Sequence, residues 1–351
     1  MKTITIFLLS ILLINCSLAE ERLQPLIDIY KTKQISSEKI QIKYEKQFKK
    51  ISDILLSPES MTSEKNSKEV GELITEIVSG IYAMGDFSYV NLSPIMYPNK
   101  KVIYFTVDIV DKKDKRRLAQ FLSNPKDKID DPDHLIKMWA DYQKTGMNIV
   151  FKEKMPPVFK TCPAYHCLFG FDHPALKKYS PLFDHLVQKN QMQLVSILRK
   201  DSDESKRASA ALLLAHMKNG NELIKVLVPS MRDPSDQVRN NVMRVLGATL
   251  SKIKVADFPI NESVVALHFP STTDRNKALY IISSLVEEPH YAHYVIRHAG
   301  QELIDELKLS QPNIHELSYE ILKKISHKNF SDRDYSSWEK WLKKVKKNET
   351  A

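Results

Sequence analysis

The sequence contains few of the residues and motifs on which nucleotide-dependent and metal-dependent enzymes rely. Only eight of the 351 residues are glycine, and none of them forms a G-x-G-x-x-G dinucleotide motif or a G-x-x-x-x-G-K phosphate loop. The metalloprotease motif H-E-x-x-H and the nucleophile motif G-x-S-x-G are also absent from the sequence. The sequence therefore predicts no catalytic residue, no metal site and no cofactor.

Cysteine is scarce as well, and the first of the three cysteines, Cys16, lies in a segment typical of export signals. An apolar run from Ile4 to Ile14 follows Lys2, and Ser17 and Ala19 place small residues where signal peptidase recognises them. We expect a signal peptide over residues 1–19 and a periplasmic or secreted protein. The alternative is a lipoprotein, because Leu13-Ile14-Asn15-Cys16 is similar to a bacterial lipobox. A lipid on Cys16 would bring the protein to a membrane surface.

The charge of the chain is moderately basic. It has 52 Lys and Arg against 43 Asp and Glu, a net charge of +9, and these residues are scattered along the chain. Such an excess favours anionic surfaces in general, without the concentrated basic stripe of a nucleic-acid-binding domain. We therefore expect a protein partner of unknown identity rather than a nucleic acid. Residues 346–351 form a short basic tail in this interpretation.

Residues 20–84 have the periodicity of amphipathic helices. Apolar side chains recur at spacings of three and four residues in two stripes, which we expect to face a core. The stripes consist of Ile40, Tyr44, Phe48, Ile51 and Leu55, and of Val70, Leu73, Ile77, Ile81 and Met84. The polar stretch 57–67 between them predicts a loop, and Asn66 with Glu69 resembles a helix N-cap.

A short α+β unit is predicted next. Phe87–Tyr97 and Lys101–Val110 have the composition of two strands paired around a turn at Pro98-Asn99. The second strand alternates apolar and polar residues, as a half-buried strand does. A helix is expected over 113–122. Another begins at Asp131-Pro132 and ends at Gly146, and residues 148–151 then return to the sheet.

From about Pro181 the sequence predicts only helices and repeats itself. The stretch "DSDESKRASA" from Asp201 superposes on "DPSDQVRNNV", which begins 32 residues later at Asp233, so that Arg207 matches Arg239. Two degraded copies place Arg275 and His315 at the same position. Small or apolar residues follow three and seven positions after each of these four anchors: Ala210, Val242, Ala278 and Ser318, and Leu214, Leu246, Ile282 and Leu322.

The stretch "MRDPSDQVRNNVMRVLGA" resembles the second half of a HEAT repeat of the PBS-lyase HEAT-like kind. "HCLFGFDHPALKKY" and the C-terminal "NFSDRDYSSWEKWLKK" are similar to segments that flank such repeats in secreted bacterial proteins. In that family an aspartate caps the second helix and an arginine bonds to the neighbouring repeat. The resemblance implies these structural roles for Asp201 and Arg207 and for Asp233 and Arg239.

The expected fold is mostly α-helical. A helical and α+β N-terminal domain over 20–175 precedes a short α-solenoid of HEAT-like helix pairs over 176–345. Each helix pair needs a neighbour to bury its apolar face, and stacking creates a long curved surface.

The stretch "TCPAYHCLFGFDHP" between the two regions contains Cys162 and Cys167. In an oxidising compartment an even number of cysteines favours a disulfide. A zinc site formed with His166 and His173, a catalytic Cys167 and a pair of reduced cysteines are the alternatives.

The functional expectation follows from the predicted architecture. We expect a non-enzymatic interaction scaffold of the cell envelope or the extracellular space, which binds a macromolecular partner through its repeats. The alternative is a lyase or a hydrolase with a site at the domain junction near His166, Cys167 and His173.

Overall fold

The computed structural model describes residues 25–57, 63–97, 102–114, 117–118, 121–151, 153, 162–255 and 257–349. The predicted signal peptide 1–19, with Cys16, and the predicted turn at Pro98-Asn99 lie outside these residues. The fold is mostly helical, with a small α+β N-terminal part and a stack of helix pairs. The predicted fold class is therefore confirmed.

The α+β part contains a three-stranded sheet with the strand order β1-β3-β2. Its elements are β1 (Leu26–Tyr30), α1 (Ser37–Leu56), α2 (Glu64–Tyr82), β2 (Phe87–Tyr97) and β3 (Val102–Asp111). Strand β3 is parallel to β1 and antiparallel to β2. The two predicted helical stripes pack on one face of the sheet, where the rings of Phe48 and Phe105 lie 4.8 Å apart.

Two predictions for this part were wrong. Residues 26–30 form a strand although the region 20–84 was predicted to be helical, because this short segment finds hydrogen-bond partners in β3. The N-cap of helix α2 is Ser63, three residues before the predicted N-cap Asn66. The side chain of Ser63 accepts a hydrogen bond from the backbone N–H of Asn66, so residues 64–67 of the predicted loop are helical. Residues 58–62 of that loop lie outside the described residues.

The polar face of β3 is buried too, which a half-buried strand would not show. Thr106 and Asp108 are both 0% exposed. The reason is that the helical repeats cover the face of the sheet that α1 and α2 leave free. Asp108 accepts hydrogen bonds from the backbone N–H and the hydroxyl of Thr272, 164 residues later in the chain.

The connection between the sheet and the repeats also differs from the prediction. The described residues within 113–122 form no α-helix, because the Arg117 side chain turns back to the carbonyl oxygen of Ile109 and is buried. A 3₁₀ turn at Pro132–His134 leads into α3 (Leu135–Phe151), which continues through Gly146 instead of ending there. Gly146 lies against the ring of Phe169, where a Cβ atom would collide. Residues 148–151 therefore do not return to the sheet.

The repeat region contains four helix pairs and a final helix. The first helices are α5 (Tyr179–Lys200), α7 (Gly220–Leu227), α9 (Ile260–Ala266) and α11 (Pro289–Leu307), and a short helix α4 (Pro174–Lys177) precedes them. The second helices are α6 (Glu204–Leu213), α8 (Asp236–Leu250), α10 (Thr272–Leu285) and α12 (Pro312–Ser326), and each packs beside the next. All eight small or apolar residues of the predicted repeat are at most 2% exposed.

Helix α13 (Tyr335–Glu349) closes the stack. Trp338 is fully buried against Phe330, with ring centroids 5.0 Å apart, and Trp341 is partly buried beside it. Lys346 and Lys347 belong to this helix, so the predicted basic tail starts within regular structure. Among the described residues, no helix is long and apolar enough to cross a membrane.

Candidate functional site

The four anchor residues of the repeats occupy equivalent places, since each is the fourth residue of its second helix. Each side chain also bonds to the backbone carbonyl oxygen six residues before it. The distance from the anchor nitrogen to that oxygen is 2.9 Å for Arg207, 2.8 Å for Arg239, 3.2 Å for Arg275 and 3.1 Å for His315. These bonds hold the turn that precedes each second helix.

The arginines among these anchors form an arginine ladder, Arg207, Arg239 and Arg275, that joins one repeat to the next. Nε and Nη2 of Arg207 each donate to a carboxylate oxygen of Asp233 at 2.9 Å. The same two nitrogens of Arg239 donate to one oxygen of Asp274 at 3.0 and 2.8 Å. All these side chains are buried, so the ladder is a structural element rather than a surface for ligands.

The aspartates differ from the role that the family resemblance implied. Asp201 and Asp233 lie two residues before the N-caps, which are Asp203 and Ser235. Their carboxylates accept hydrogen bonds from the backbone N–H groups of those N-cap residues at 2.8 Å. They therefore brace the turn before the second helix instead of capping the helix itself.

The last arginine of the ladder, Arg275, joins the repeats to the sheet. Its Nη2 donates to Asp108 at 2.7 Å, its Nε lies 2.5 Å from an oxygen of Glu306, and its guanidinium lies 3.9 Å from the ring centre of Tyr30. Arg275, Asp108 and Glu306 are all 0% exposed. Burial opposes the charge on Arg275, but the carboxylates of Asp108 and Glu306 outweigh it and raise the pKa of the guanidinium.

Further bonds extend this docking to the fourth repeat. The Asp28 carboxylate on β1 accepts hydrogen bonds from the backbone N–H groups of Ser310 and Gln311 at 2.7 and 3.2 Å. The hydroxyl of Tyr97 on β2 accepts one from the backbone N–H of Asn313 at 3.2 Å. The sheet is therefore fixed across the N-terminal turns of α10 and α12.

An extended crossing segment, residues 121–131, runs over the same turns in the first two repeats. The backbone N–H of Leu122 donates to the carbonyl oxygen of Arg232 at 2.8 Å, and that of Ile129 donates to the carboxylate of Asp201 at 2.9 Å. The guanidinium of Arg239 lies 4.0 Å from the ring centre of Phe121. This edge of the repeat stack is consequently occupied by the chain itself.

The segment 162–173, here called the stapled segment, covers the other ends of the second helices. Cys162 and Cys167 form a disulfide, which confirms the favoured prediction, with Cα atoms 5.8 Å apart. The backbone N–H of Tyr165 donates to the carbonyl oxygen of Ala215 at 2.9 Å, and Nζ of Lys252 donates to that of Ala164 at 2.8 Å. The segment is therefore pinned to the ends of two neighbouring repeats.

The structure separates the three residues of the predicted junction site. Cys167 is joined to Cys162 and offers no free thiol. His173 is the N-cap of α4, where its Nδ1 accepts a hydrogen bond from the backbone N–H of Ala175 at 3.2 Å. His166 instead lies toward the repeats. Within the described part of the chain, no group of three or more His, Cys, Asp or Glu side chains could hold a metal ion.

His166 belongs to a cationic cluster with Arg244 on α8 and Lys277 on α10. Arg244 Nη2 donates to the side chain of Asn240 at 3.2 Å, and Lys277 Nζ donates to that of Asn276 at 2.7 Å. In the part of the chain that the structure describes, no carboxylate forms an ion pair with Arg244 or Lys277. The buried Nε2 of His166 and Nε of Arg244 have no hydrogen-bond partner there.

The pKa values of the cluster are displaced in the direction that disfavours positive charge. Burial, followed by the charges of Arg244, Lys252 and Lys277, lowers the pKa of His166 to about 4. Burial and the charge of Arg244 lower the pKa of Lys277 to about 8. At neutral pH His166 is therefore a neutral imidazole, whereas Arg244 and most of the Lys277 population carry charge.

Sequence reasoning missed the acceptors of the ladder, and it named His166 at the junction without bringing Arg244 and Lys277 to it. Asp274 directly precedes the anchor Arg275, and Asp108 stands on the polar face of β3, so both were visible as carboxylates but not as partners. Arg244 and Lys277 fall five and two residues after their anchors, at positions that the repeat pattern leaves variable. Only the packing of α8 beside α10 brings them together.

Comparison of the chain with models of protein families, with curated proteins and with solved structures gave no match.

Proposed function

We propose that this protein is a non-enzymatic interaction scaffold of the cell envelope or the extracellular space, which binds a protein partner through HEAT-like repeats. The observation that carries this proposal is the row of second helices α6, α8, α10 and α12, which pack side by side. Buried ion pairs of the arginine ladder fix the successive repeats to one another. Stacked helix pairs of this kind present extended surfaces for macromolecules.

The HEAT-like assignment is supported by the repeated geometry of the anchors. Arg207 and Arg239 each bond to a carboxylate of the next repeat, as the family resemblance implies. His315 lies at the same position and pairs with Asp332 beyond its own helix, with 2.9 Å between Nε2 and the carboxylate oxygen. A degraded repeat thus keeps the same arrangement with a different residue.

The compartment is supported by the disulfide, because such bonds persist in oxidising environments. We expect cleavage after Ala19, with lipidation of Cys16 as the alternative. The intact mass of the protein from an envelope fraction separates the two, since a diacylated chain that begins at Cys16 is heavier than one that begins at Glu20.

A pull-down with the full mature chain tests the scaffold. Glu320 is exposed on α12, and Glu45 is exposed on α1 in the α+β part. We expect Glu320→Lys to reduce recovery of the partner from an envelope extract, and Glu45→Lys, the matched control, to leave it unchanged. The opposite pattern would move the binding surface to the α+β part.

The enzyme alternative makes a different demand on the junction. If the junction held a lyase or hydrolase site, the wild-type protein would turn over a substrate. His173→Ala or Cys167→Ser would abolish this turnover while the repeats stayed folded. Because Cys167 is held in a disulfide and His173 caps a helix, the contacts at the junction favour the scaffold.

A further inference from the structure

The cationic cluster is built from three separate parts of the chain. His166 comes from the stapled segment, Arg244 from α8 and Lys277 from α10. All three residues are half-buried rather than free in solvent. Since the stapled segment is pinned to the repeats at Ala164 and Tyr165, the neighbouring His166 has a fixed position relative to the repeats.

The cluster contrasts with most of the buried cations among the described residues, although Arg117 also lacks a carboxylate partner and bonds to the carbonyl oxygen of Ile109. Arg207, Arg239 and Arg275 each have a carboxylate partner, and Lys206 on α6 pairs with Asp201 at 3.3 Å. For Arg244 and Lys277 the hydrogen-bond acceptors are the neutral amides of Asn240 and Asn276. Partly desolvated charges without a counter-charge are costly, and a bound anion would offset that cost.

We propose that His166, Arg244 and Lys277 form a binding site for a single oxyanion, a carboxylate or a phosphate group. The planar guanidinium of Arg244 can donate two parallel hydrogen bonds to such a group, and the ammonium of Lys277 adds a point charge. A neutral His166 can donate one ring N–H without adding repulsion. That the oxyanion belongs to the protein partner rests on the proposed function, whereas the site itself does not.

The surroundings favour one oxyanion over a polyanion. A nucleic acid or a polyanionic chain needs a track of basic residues along the surface. On the neighbouring second helix, α12, the exposed positions include Glu316 and Glu320, which would repel successive phosphates. Lys323 and Lys324 lie one turn further along, and Lys324 already pairs with Glu287 at 3.2 Å.

Calorimetric titration of the full mature chain tests the site directly. The probes are inorganic phosphate and, separately, acetate, at pH 7 and at one ionic strength kept with sodium chloride. We expect at least one probe to saturate at one ion per chain. Arg244→Met and Lys277→Met should each weaken its binding about tenfold or more, because each removes a charged hydrogen-bond donor. Lys343→Met, which removes one charge from exposed surface of α13, should bind as the wild type does.

Ring resonances of the unmodified protein give a second measurement that needs no variant. The bound ion should shift the resonances of His166 and leave those of exposed His290 unchanged. Saturation by phosphate alone identifies a phosphate group, and saturation by acetate alone identifies a carboxylate. The proposal is overturned if neither probe saturates, if His166 does not respond, or if both methionine variants bind as tightly as the wild type.

The outcome is separable from that of the scaffold test. If the wild-type chain captures no partner while it still binds the ion, the scaffold is rejected and the oxyanion site stands. Loss of ion binding with intact partner capture would reject the site and leave the scaffold.

Discussion

Arg239 and Arg244 lie on the same helix, α8, but they differ in burial and in their hydrogen-bond partners. Arg239 is buried, donates two hydrogen bonds to Asp274, and stacks near the ring of Phe121. Arg244 is half-buried, and its hydrogen bond goes to the amide of Asn240 while its Nε has no partner among the described residues. The two arginines therefore differ in whether a carboxylate pairs with them, and not only in how far they are buried.

The contrast extends to whole surfaces of the molecule. The edge of the repeats that carries the ladder is covered by the sheet and by the crossing segment, both supplied by the chain itself. At the other ends of the second helices lies the stapled segment, which Lys252 holds through the carbonyl oxygen of Ala164. A buried ion pair that loses one partner leaves an uncompensated charge, whereas removal of an unpaired charge relieves a cost. The following variants use that asymmetry.

The largest effect is expected for Arg275→Met. The change removes the ion-pair partner of the buried carboxylates of Asp108 and Glu306, and we expect a loss of about 3–5 kcal/mol in the free energy of unfolding. Urea unfolding followed by circular dichroism measures it, with Lys343→Met as the control. A loss below about 1 kcal/mol would mean that the sheet is not held to the repeats through this network.

Arg239→Met should cost somewhat less, about 3 kcal/mol, because only Asp274 is left unpaired. The double variant Arg239→Met with Asp274→Leu should recover much of that loss, since it replaces the pair by apolar side chains. Unfolding curves of the wild type, the two single variants and the double variant give the coupling energy between Arg239 and Asp274. Strictly additive losses would contradict the assignment of the ladder.

The repeat region could be predicted further than the rest because its signal is local. Each anchor bonds to the carbonyl oxygen six residues before it, and the residues three and seven positions later follow within about two helical turns, so their types recur along the chain. The same locality explains why β2, β3 and the disulfide were predictable. Each depends on alternation, on a short separation or on the compartment.

Features that depend on distant contacts could not be predicted. Asp108 looks like a solvent-facing strand residue until α10 is placed against it, and Tyr30 belongs to a strand only because β3 lies alongside. The cationic cluster has the same character, because three residues from separate elements become a site only through packing. These features depend on contacts between residues far apart in the chain, which the local sequence pattern does not indicate.

The stapled segment offers a smaller effect. We expect the double variant Cys162→Ser with Cys167→Ser to lose about 2 kcal/mol, since the disulfide closes only a short loop. The repeats should stay folded, because most of the buried residues of their core come from the helices themselves. Unfolding curves with and without reductant check this. The variant should also bind phosphate more weakly, as His166 is no longer held beside Arg244.

Acid should destabilise the protein partly through His166. Its pKa is lowered to about 4, below the usual 6.5, so between these values the folded state binds fewer protons than the unfolded state. Its stabilising contribution is therefore complete above pH 6.5 and is lost as the pH falls toward 4. We expect His166→Phe to reduce the loss between pH 7 and pH 5 by about 1 kcal/mol. His290→Phe is the control. An unchanged pH dependence of stability in His166→Phe would contradict the lowered pKa of His166.

The smallest effect on stability is expected for Arg244→Met, and it decides the comparison between the two arginines. The substitution is chemically the same as Arg239→Met on the same helix, and methionine retains an apolar stem that can pack where the arginine stem packed. Because no described carboxylate is left behind, the change should leave the free energy of unfolding in chloride buffer within about 0.5 kcal/mol of the wild type, or slightly above it. Urea unfolding of both variants in one experiment gives the answer. A loss of more than about 2 kcal/mol for Arg244→Met would show that Arg244 is held by the fold as Arg239 is. The cationic cluster would then be one more structural bond, and not a place kept for a ligand.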